Sequence, residues 1–317
     1  MPFRVALDWT PNTLHIGLFA ARAQAWFAEA GLSQEVSFVS PDIDEYKKTP
    51  AARLHDQEVE VAIAPSESVI SYQTLSHKAS LVAIGAIAQQ DSSAIVTLED
   101  SGLRRPADLD GKLYASYGAR FEDYIVRQMI RNDGGQGDLN ITHPNMLGIF
   151  NVLIQGAADA TWVFMPWEGV EARREGLSLH AFRMGDYDIP YGYTPVMLAH
   201  PDLIQAQEAD YKAFMSACAR GYQWAVHHPQ EAAALLRSES GHPSCQDIDF
   251  LVESMYDLAP HLLREDGRWG LMNPDRWTEF AQWLCDHKIL GPDAEALLDA
   301  NRLFTNNLLP RQQGQGA

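Results

Sequence analysis

Several side chains suited to holding a flat, polar ligand stand close together near the start of the chain. They are Asp8, Trp9, Asn12 and His15, within DWTPNTLH. An indole offers a broad stacking face, and Asp8 and Asn12 offer hydrogen bonds that fix orientation. A second such group lies far along the chain in WVFMPWE, where Trp162, Trp167 and Glu168 surround a strand-to-helix junction. There a carboxylate could grip a ring N–H and an exocyclic amine together while indole faces stack on the ring. Each group also has a plain reading. In it Trp9 caps the core, Asn12 starts the helix, and Glu168 is a first-turn charge favoured by the helix dipole. Both readings stand open on the residues alone.

The elements that position these residues follow from apolar patterning. Val5, Ala6 and Leu7 form a short apolar run fit for a buried strand, which breaks at Asp8–Thr13. Ile16, Phe19, Ala20, Ala23, Trp26 and Phe27 then recur at helical spacing until Gly31. The first group therefore sits between a strand's carboxyl end and a helix's amino end, the edge at which open α/β sheets bind ligands. The same strand, loop, helix order recurs at Val59–Ala64, Pro65–Ser68 and Val69–Leu75. It places Ser66 and Ser68 where they either cap the helix or meet a ligand oxygen. It recurs again at Lys112–Ser116, where Tyr117 and Gly118 precede a helix through Glu122, Ile125 and Met129. Gly118 either admits a close backbone approach or only serves the turn. Further strands are expected at 36–39, 81–88, 94–98, 161–165 and 195–199. Helices are expected at 46–55, 146–155, 169–174, 211–227, 229–237, 245–258 and 274–287. In DIPYGY, Tyr191 and Tyr193 share a direction by the period of two and could reach a cleft. The tail 311–317, rich in Gln and Gly, reads as disordered.

Composition narrows the class. With 317 residues, 46% of them hydrophobic and 21% charged, the chain is an ordinary globular sequence long enough for two lobes. A formal net charge of −18 argues against nucleic acid as a partner. Cys218, Cys245 and Cys285 are scattered and read as small buried hydrophobes. His227 and His228 adjoin on a helix end and do not make a two-ligand metal face. No apolar run approaches the ~20 residues that span a bilayer. The first residues, MPFR, enter the first strand at once, which leaves either a cytosolic chain or one starting at a mature terminus, periplasmic or lipid-anchored. No P-loop, GxSxG, HExxH or clustered Cys/His signature is present.

DWTPNT-x-H, followed by a G-x-F-x-A helix and WFAEAGL, resembles the solute-binding proteins of the NMT1/THI5-like group. LMNPDRWTEFAQWLCDHKIL and LFTNNLL resemble the carboxyl end of the same proteins. Members of the group include importer-linked proteins that bind the pyrimidine precursor of thiamin. The resemblance implies an α/β, two-lobed periplasmic-binding-protein fold of the second type. Such a fold has two crossover strands, a carboxyl-terminal helical portion and a ligand closed between the lobes by hinge motion. It implies a first lobe of 1–90 with 195–317 and a second of 91–194. It also implies a small aromatic heterocycle as ligand, an ABC-transporter permease as partner and no cofactor, and it associates Glu168 with pyrimidine binding. The same architecture serves pyrimidine synthases of the THI5 type, the enzyme alternative beside a cytosolic pyrimidine-binding sensor. Synthases carry a lysine that holds pyridoxal phosphate, a nearby histidine and a cysteine-rich run. Here PSESVISYQ follows the third strand, and YGYTPV stands where the cysteines would be.

Overall fold

A computed structural model describes residues 2–75, 81–144, 149–291, 294 and 299–310, with backbone alone for 149–151 and 300. The chain forms ten strands: β1 (Phe3–Ala6), β2 (Val36–Val39), β3 (Val61–Ala64), β4 (Val82–Ala86), β5 (Ser93–Leu98), β6 (Lys112–Ala115), β7 (Leu139–Thr142), β8 (Ala160–Phe164), β9 (Leu179–Phe182) and β10 (Val196–Ala199). They build two five-stranded sheets, ordered β2-β1-β3-β10-β4 and β7-β6-β8-β5-β9. Each sheet has the same logic. Three parallel strands stand side by side, and a fourth, antiparallel strand joins them to the last. This is an α/β fold of two mixed sheets with helices.

The contacts divide the chain into two compact units. One holds the described residues of Met1–Asp91, Tyr193–Trp277 and Ala296–Ala317; the other holds those of Ser92–Gly192 and Thr278–Glu295. The divisions fall at 91/92 and 192/193. The segment after Trp277, which the sequence reading gave to the first lobe, groups with the second unit instead. The reason is packing: Phe280 lies edge-on to Tyr191 with ring centroids 5.2 Å apart.

The central strands form where apolar residues run without interruption. β3 (VAIA) and β10 (VMLA) are buried at every position, as strands covered on both faces must be. Two strands escaped the sequence reading, β7 (LNIT) and β9 (LHAF). Both are edge strands, only partly buried, and at four residues each their apolar pattern is too short to stand out in sequence. The helix expected at 146–155 is Ile149–Ile154, with 146–148 outside the described residues, as is the tail 311–317. His227 and His228 are exposed at the end of the helix Glu208–His227. Cys218 and Cys245 are buried and Cys285 partly so, all three as free thiols.

In the first unit, the helix Ile16–Ala23 is held in place by the helix Glu208–His227. The two backbones approach so closely that a Cβ on Gly221 would lie 2.1 Å from the Gly17 carbonyl oxygen. A Cβ on Gly17 would lie 2.2 Å from the Tyr222 ring. The Tyr222 hydroxyl donates to the Leu14 carbonyl at 2.7 Å, and its ring stacks on Trp269 at 4.6 Å. This contact fixes the start of the helix that follows the Trp9 loop. Because backbone, not a flexible side-chain end, blocks the space at Gly221, Gly221→Ala should cost ~1–3 kcal/mol by overpacking. Denaturant unfolding checks this, and a midpoint equal to that of the parent protein would show that the helices can part freely.

Candidate functional site

In the first unit, β1 and β3 are parallel neighbours, with Val5 opposite Val61 and Ala6 opposite Ala62. Their carboxyl-end loops therefore leave the sheet side by side, one carrying Asp8–Asn12 and the other Pro65–Ser66. The first loop is built by its own side chains. Asn12 Oδ1 accepts from the Leu14 N–H at 2.9 Å, and its Nδ2 donates to the Thr10 carbonyl at 3.1 Å. His15, fully buried, accepts the Asn12 N–H at Nδ1 (3.2 Å). A nitrogen that accepts a main-chain N–H carries no proton, so Nε2 bears it and donates to Asp8 Oδ1 at 2.8 Å. Asn12 and His15 are thus builders of the loop, and Asp8 is oriented by His15.

Trp9 is half-buried, and its ring lies 4.9 Å from that of Tyr46, tilted by 41°. Tyr46 was not singled out from sequence, where it read as the start of a helix. It instead follows the short turn Pro41–Asp44 with a left-handed backbone (φ 62°), and the helix starts only at Pro50. Burial, aided by the charge of Asp42, pushes the Tyr46 phenol up to about 12. Its hydroxyl is buried and has no hydrogen-bond partner among the described residues. The turn His242–Cys245 ties these two loops together. His242 Nε2 meets Asp42 at 3.0 Å, while Ser244 Oγ and Cys245 Sγ donate to the Pro11 carbonyl at 2.8 and 3.1 Å.

Ser66 and Ser68 lie inside the helix Ser66–Gln73, and Pro65 holds the N-cap position. Neither serine caps it. The Ser66 N–H donates to the Tyr193 carbonyl at 2.9 Å, and its hydroxyl is buried without a partner among the described residues. Tyr193 itself is packed in the first unit. Its hydroxyl accepts the Asn273 N–H at 2.9 Å, and the Arg276 guanidinium lies 4.2 Å above its ring.

The second unit repeats the arrangement. β6 and β8 are parallel neighbours, with Tyr114 opposite Ala160 and Ala115 opposite Thr161, so the loops at Tyr117–Gly118 and Trp167–Glu168 also leave side by side. The first of these loops is organised by Glu122, another residue that sequence reasoning passed over as a helix filler. Glu122 is 2% exposed, and its carboxylate accepts from the Tyr114 hydroxyl (2.7 Å), the Tyr117 N–H (3.1 Å) and the Ala119 N–H (3.2 Å). Gly118 has the left-handed backbone of φ +73°, and its N–H donates to Ser116 Oγ at 3.0 Å. The Ser116 hydroxyl in turn donates to Asp123 at 2.8 Å. An acid at the first helical position, shortly after a glycine turn, was the available signal.

Trp167 and Glu168 lie in a π-helical turn, Met165–Gly169, a widened turn often found at functional sites. Both are half-buried. One carboxylate oxygen of Glu168 accepts the Phe164 N–H at 2.9 Å, so the side chain folds back over the end of β8. Burial, with the charges of Glu168 and Glu122, holds the Tyr117 phenol well above its ordinary range, so it stays protonated. Trp162 and Tyr191 are nearly buried, and their rings pack 5.2 Å apart within this unit. Tyr191 and Tyr193, expected to point together, are parted by the unit boundary between Gly192 and Tyr193. Among the described residues, no group of His, Cys, Asp and Glu is placed to hold a metal ion. No helix among them is long and apolar enough to cross a membrane.

Burial raises the Glu122 carboxyl above its usual 4.5, and the hydroxyl and N–H donors offset only part of that rise. Between these two values the folded protein binds more protons than the unfolded chain, so stability falls as pH climbs through that window. Glu122→Gln removes the titrating carboxyl and should flatten this part of the curve relative to the parent. Melting temperature followed from about pH 4 to about pH 7 reads the difference. Curves that differ only by a constant offset would mean Glu122 titrates alike in both states.

Comparison with known proteins identifies the family and the fold. The NMT1/THI5 like family matches residues 12–232. A curated relative, the formylaminopyrimidine-binding protein of Halalkalibacterium halodurans, is 25% identical over 289 residues, covering 89% of this chain and 84% of the relative. The alkanesulfonate-binding protein SsuA of Xanthomonas axonopodis pv. citri superposes with a TM-score of 0.70 at 13% identity, over 98% of both chains. The aliphatic sulphonate-binding protein SsuA of Escherichia coli gives 0.66 at 16% identity, over 94% of this chain and 97% of that one. A Candida albicans protein described as having the generic periplasmic binding protein fold gives 0.66 at 13% identity, over the full length of both. These likenesses establish the periplasmic-binding-protein fold, and the family match establishes that the chain belongs to the NMT1/THI5-like family.

Proposed function

We propose that this protein binds a thiamin-precursor pyrimidine, of the hydroxymethyl- or formylaminomethyl-aminopyrimidine kind, and delivers it to an ABC importer. The observation that carries this reading is the carboxylate of Glu168. It is fixed by the Phe164 N–H in a π-helical turn beside Trp167 and near the Tyr117 phenol. A carboxylate set at one oxygen presents acceptors in a defined direction, the arrangement that suits the exocyclic amine and a protonated ring N–H of an aminopyrimidine. The Trp9 and Tyr46 rings at the edge of the first unit supply aromatic surface of the kind such a ring stacks on, worth ~0.5–1.5 kcal/mol per pair beyond area burial. The formylaminopyrimidine-binding relative supports the same ligand class. Asp8, Ser66 and Gly118 are carried forward as further ligand contacts. Asn12 and His15 act through the loop they build.

Two measurements test the reading. Glu168→Gln keeps the shape but sets an N–H donor against the ligand's amine, and losing a charged hydrogen bond costs ~1.5–3 kcal/mol. Calorimetric affinity for the aminopyrimidine should fall by roughly ten- to more than a hundredfold. Unchanged affinity with a slightly shifted melting temperature would leave Glu168 a helix-end charge and nothing more. Tryptophan fluorescence should respond to the same ligand and lose that response in Trp9→Ala combined with Trp167→Ala. A double variant that responds like the parent would return both indoles to packing roles.

A further inference from the structure

Tyr46 meets the Trp9 ring on a backbone that residues other than glycine rarely adopt. Glu45 and Tyr46 are both left-handed, at φ 58° and 62°. Two such residues in succession persist only where their surroundings hold them, and such places cluster at ligand clamps. Apolar packing does little to hold the preceding turn, Pro41–Asp44, because Pro41 is buried but Ile43 is exposed. Its two acids hold it instead. Asp44 pairs with Arg53 of the helix Pro50–His55, and Asp42 is met by His242 at 3.0 Å. Main-chain bonds carry that hold onward, from the Glu45 N–H to the Asp42 carbonyl (3.2 Å) and from the Tyr46 N–H to the Pro41 carbonyl (2.9 Å).

His242 uses both ring nitrogens. Nδ1 accepts the Ser244 N–H at 3.1 Å and so caps the turn Pro243–Cys245. Nε2 then bears the proton and donates it to Asp42, the same device by which His15 fixes Asp8. The Ser244 hydroxyl stands 2.7 Å from Nδ1 and 2.8 Å from the Pro11 carbonyl oxygen, which Cys245 Sγ reaches at 3.1 Å. Pro11 closely follows Trp9, and Asp42 closely precedes Tyr46. One imidazole thus stands between the two loops that bring the aromatic pair together.

We propose that His242 is a positioning residue for ligand binding, which holds the Tyr46 ring against Trp9 by anchoring Asp42 to the turn beside Pro11. It acts through Tyr46, not by contact with the ligand. The use of this ring pair as a stacking face rests on the aminopyrimidine reading, while the hold on Tyr46 stands on the geometry of the first unit alone.

His242→Asn and Asp42→Ala break the contact from opposite sides. The asparagine amide oxygen still suits the Ser244 N–H as a cap but is too short to reach Asp42. One readout needs no ligand. Burial and the charge of Asp42 push the Tyr46 phenol up to about 12. At about pH 10.5 it therefore stays protonated, while a released tyrosine, with its ordinary value of about 10, ionises. His242→Asn leaves the Asp42 charge in place, so a Tyr46 that is still held would stay protonated. Tyrosinate absorbance of His242→Asn should exceed that of the parent by most of one tyrosine, and Tyr46→Phe should remove the excess. The second readout is calorimetric affinity for 4-amino-5-hydroxymethyl-2-methylpyrimidine. It should fall about three- to tenfold in either variant, the worth of one aromatic contact. In a Tyr46→Ala background neither substitution should weaken binding further. A full loss in that background, or a folded His242→Asn protein with no added tyrosinate, would overturn the proposal and leave His242 a cap. If the parent does not bind the pyrimidine, the aminopyrimidine reading fails and the tyrosinate signal alone decides. Should His242→Asn not fold, Asp42→Ala in the parent and Tyr46→Ala backgrounds decides.

Discussion

A loop that leaves the carboxyl end of a buried parallel strand exposes main-chain N–H groups which no neighbouring strand can pair. Those donors must find acceptors, and how they do so governs the rest of each unit. In the first unit Asn12 and His15 supply the acceptors, and the proton left on His15 fixes Asp8. In the second, Glu122 and Glu168 supply them. The side chains that look most like ligand contacts in sequence are therefore divided between two tasks. Some build the loop, and some are displayed by it.

That division follows from cost. A buried donor left without a partner forfeits ~1–3 kcal/mol, more than one surface contact returns. Asn12, His15 and Glu122 are accordingly among the most buried polar residues of the chain, whereas Trp9, Trp167 and Glu168 keep partial exposure. The parallel neighbours β1/β3 and β6/β8 then do the rest. Strands that run the same way end at the same edge, so two loops far apart in sequence emerge together without any direct contact specifying it.

The two carboxylates give the second unit its character. Glu122 shapes the Tyr117–Ala119 turn, and Glu168 folds back over β8, so the two carboxylates take up the Tyr117, Ala119 and Phe164 N–H groups. Tyr117, between burial and those charges, remains a neutral phenol able to donate or accept. Two solved structures of the same fold are named for sulfonates, and a shared fold does not by itself fix the ligand. The choice therefore lies in the loops and not in the sheets.

Much of the fold was legible because buried parallel strands and amphipathic helices leave strong patterns. VEVAIA, the helical spacing after His15 and the recurring strand, loop, helix order located both edges and most candidate residues. The pattern weakened where burial weakens: β7 and β9 lie at sheet edges, and their four-residue, partly exposed runs are too short to stand out. Three matters needed the folded chain. Tyr46 meets Trp9 only because the turn at Pro41–Asp44 bends the chain back, a contact between loops distant in sequence. Tyr191 packs on Trp162 and Phe280 in one unit and Tyr193 lies under Arg276 in the other, partners that the period of two does not reveal. Glu122 becomes the organiser of its loop because folding buries its carboxylate against N–H groups that local sequence leaves open to water. Sequence by itself determined which residue types stand at the carboxyl ends of the strands, since hydrophobic periodicity is local. Tertiary structure alone decided which of them are consumed as hydrogen-bond partners and which face outward, since that depends on neighbours brought together by strand pairing.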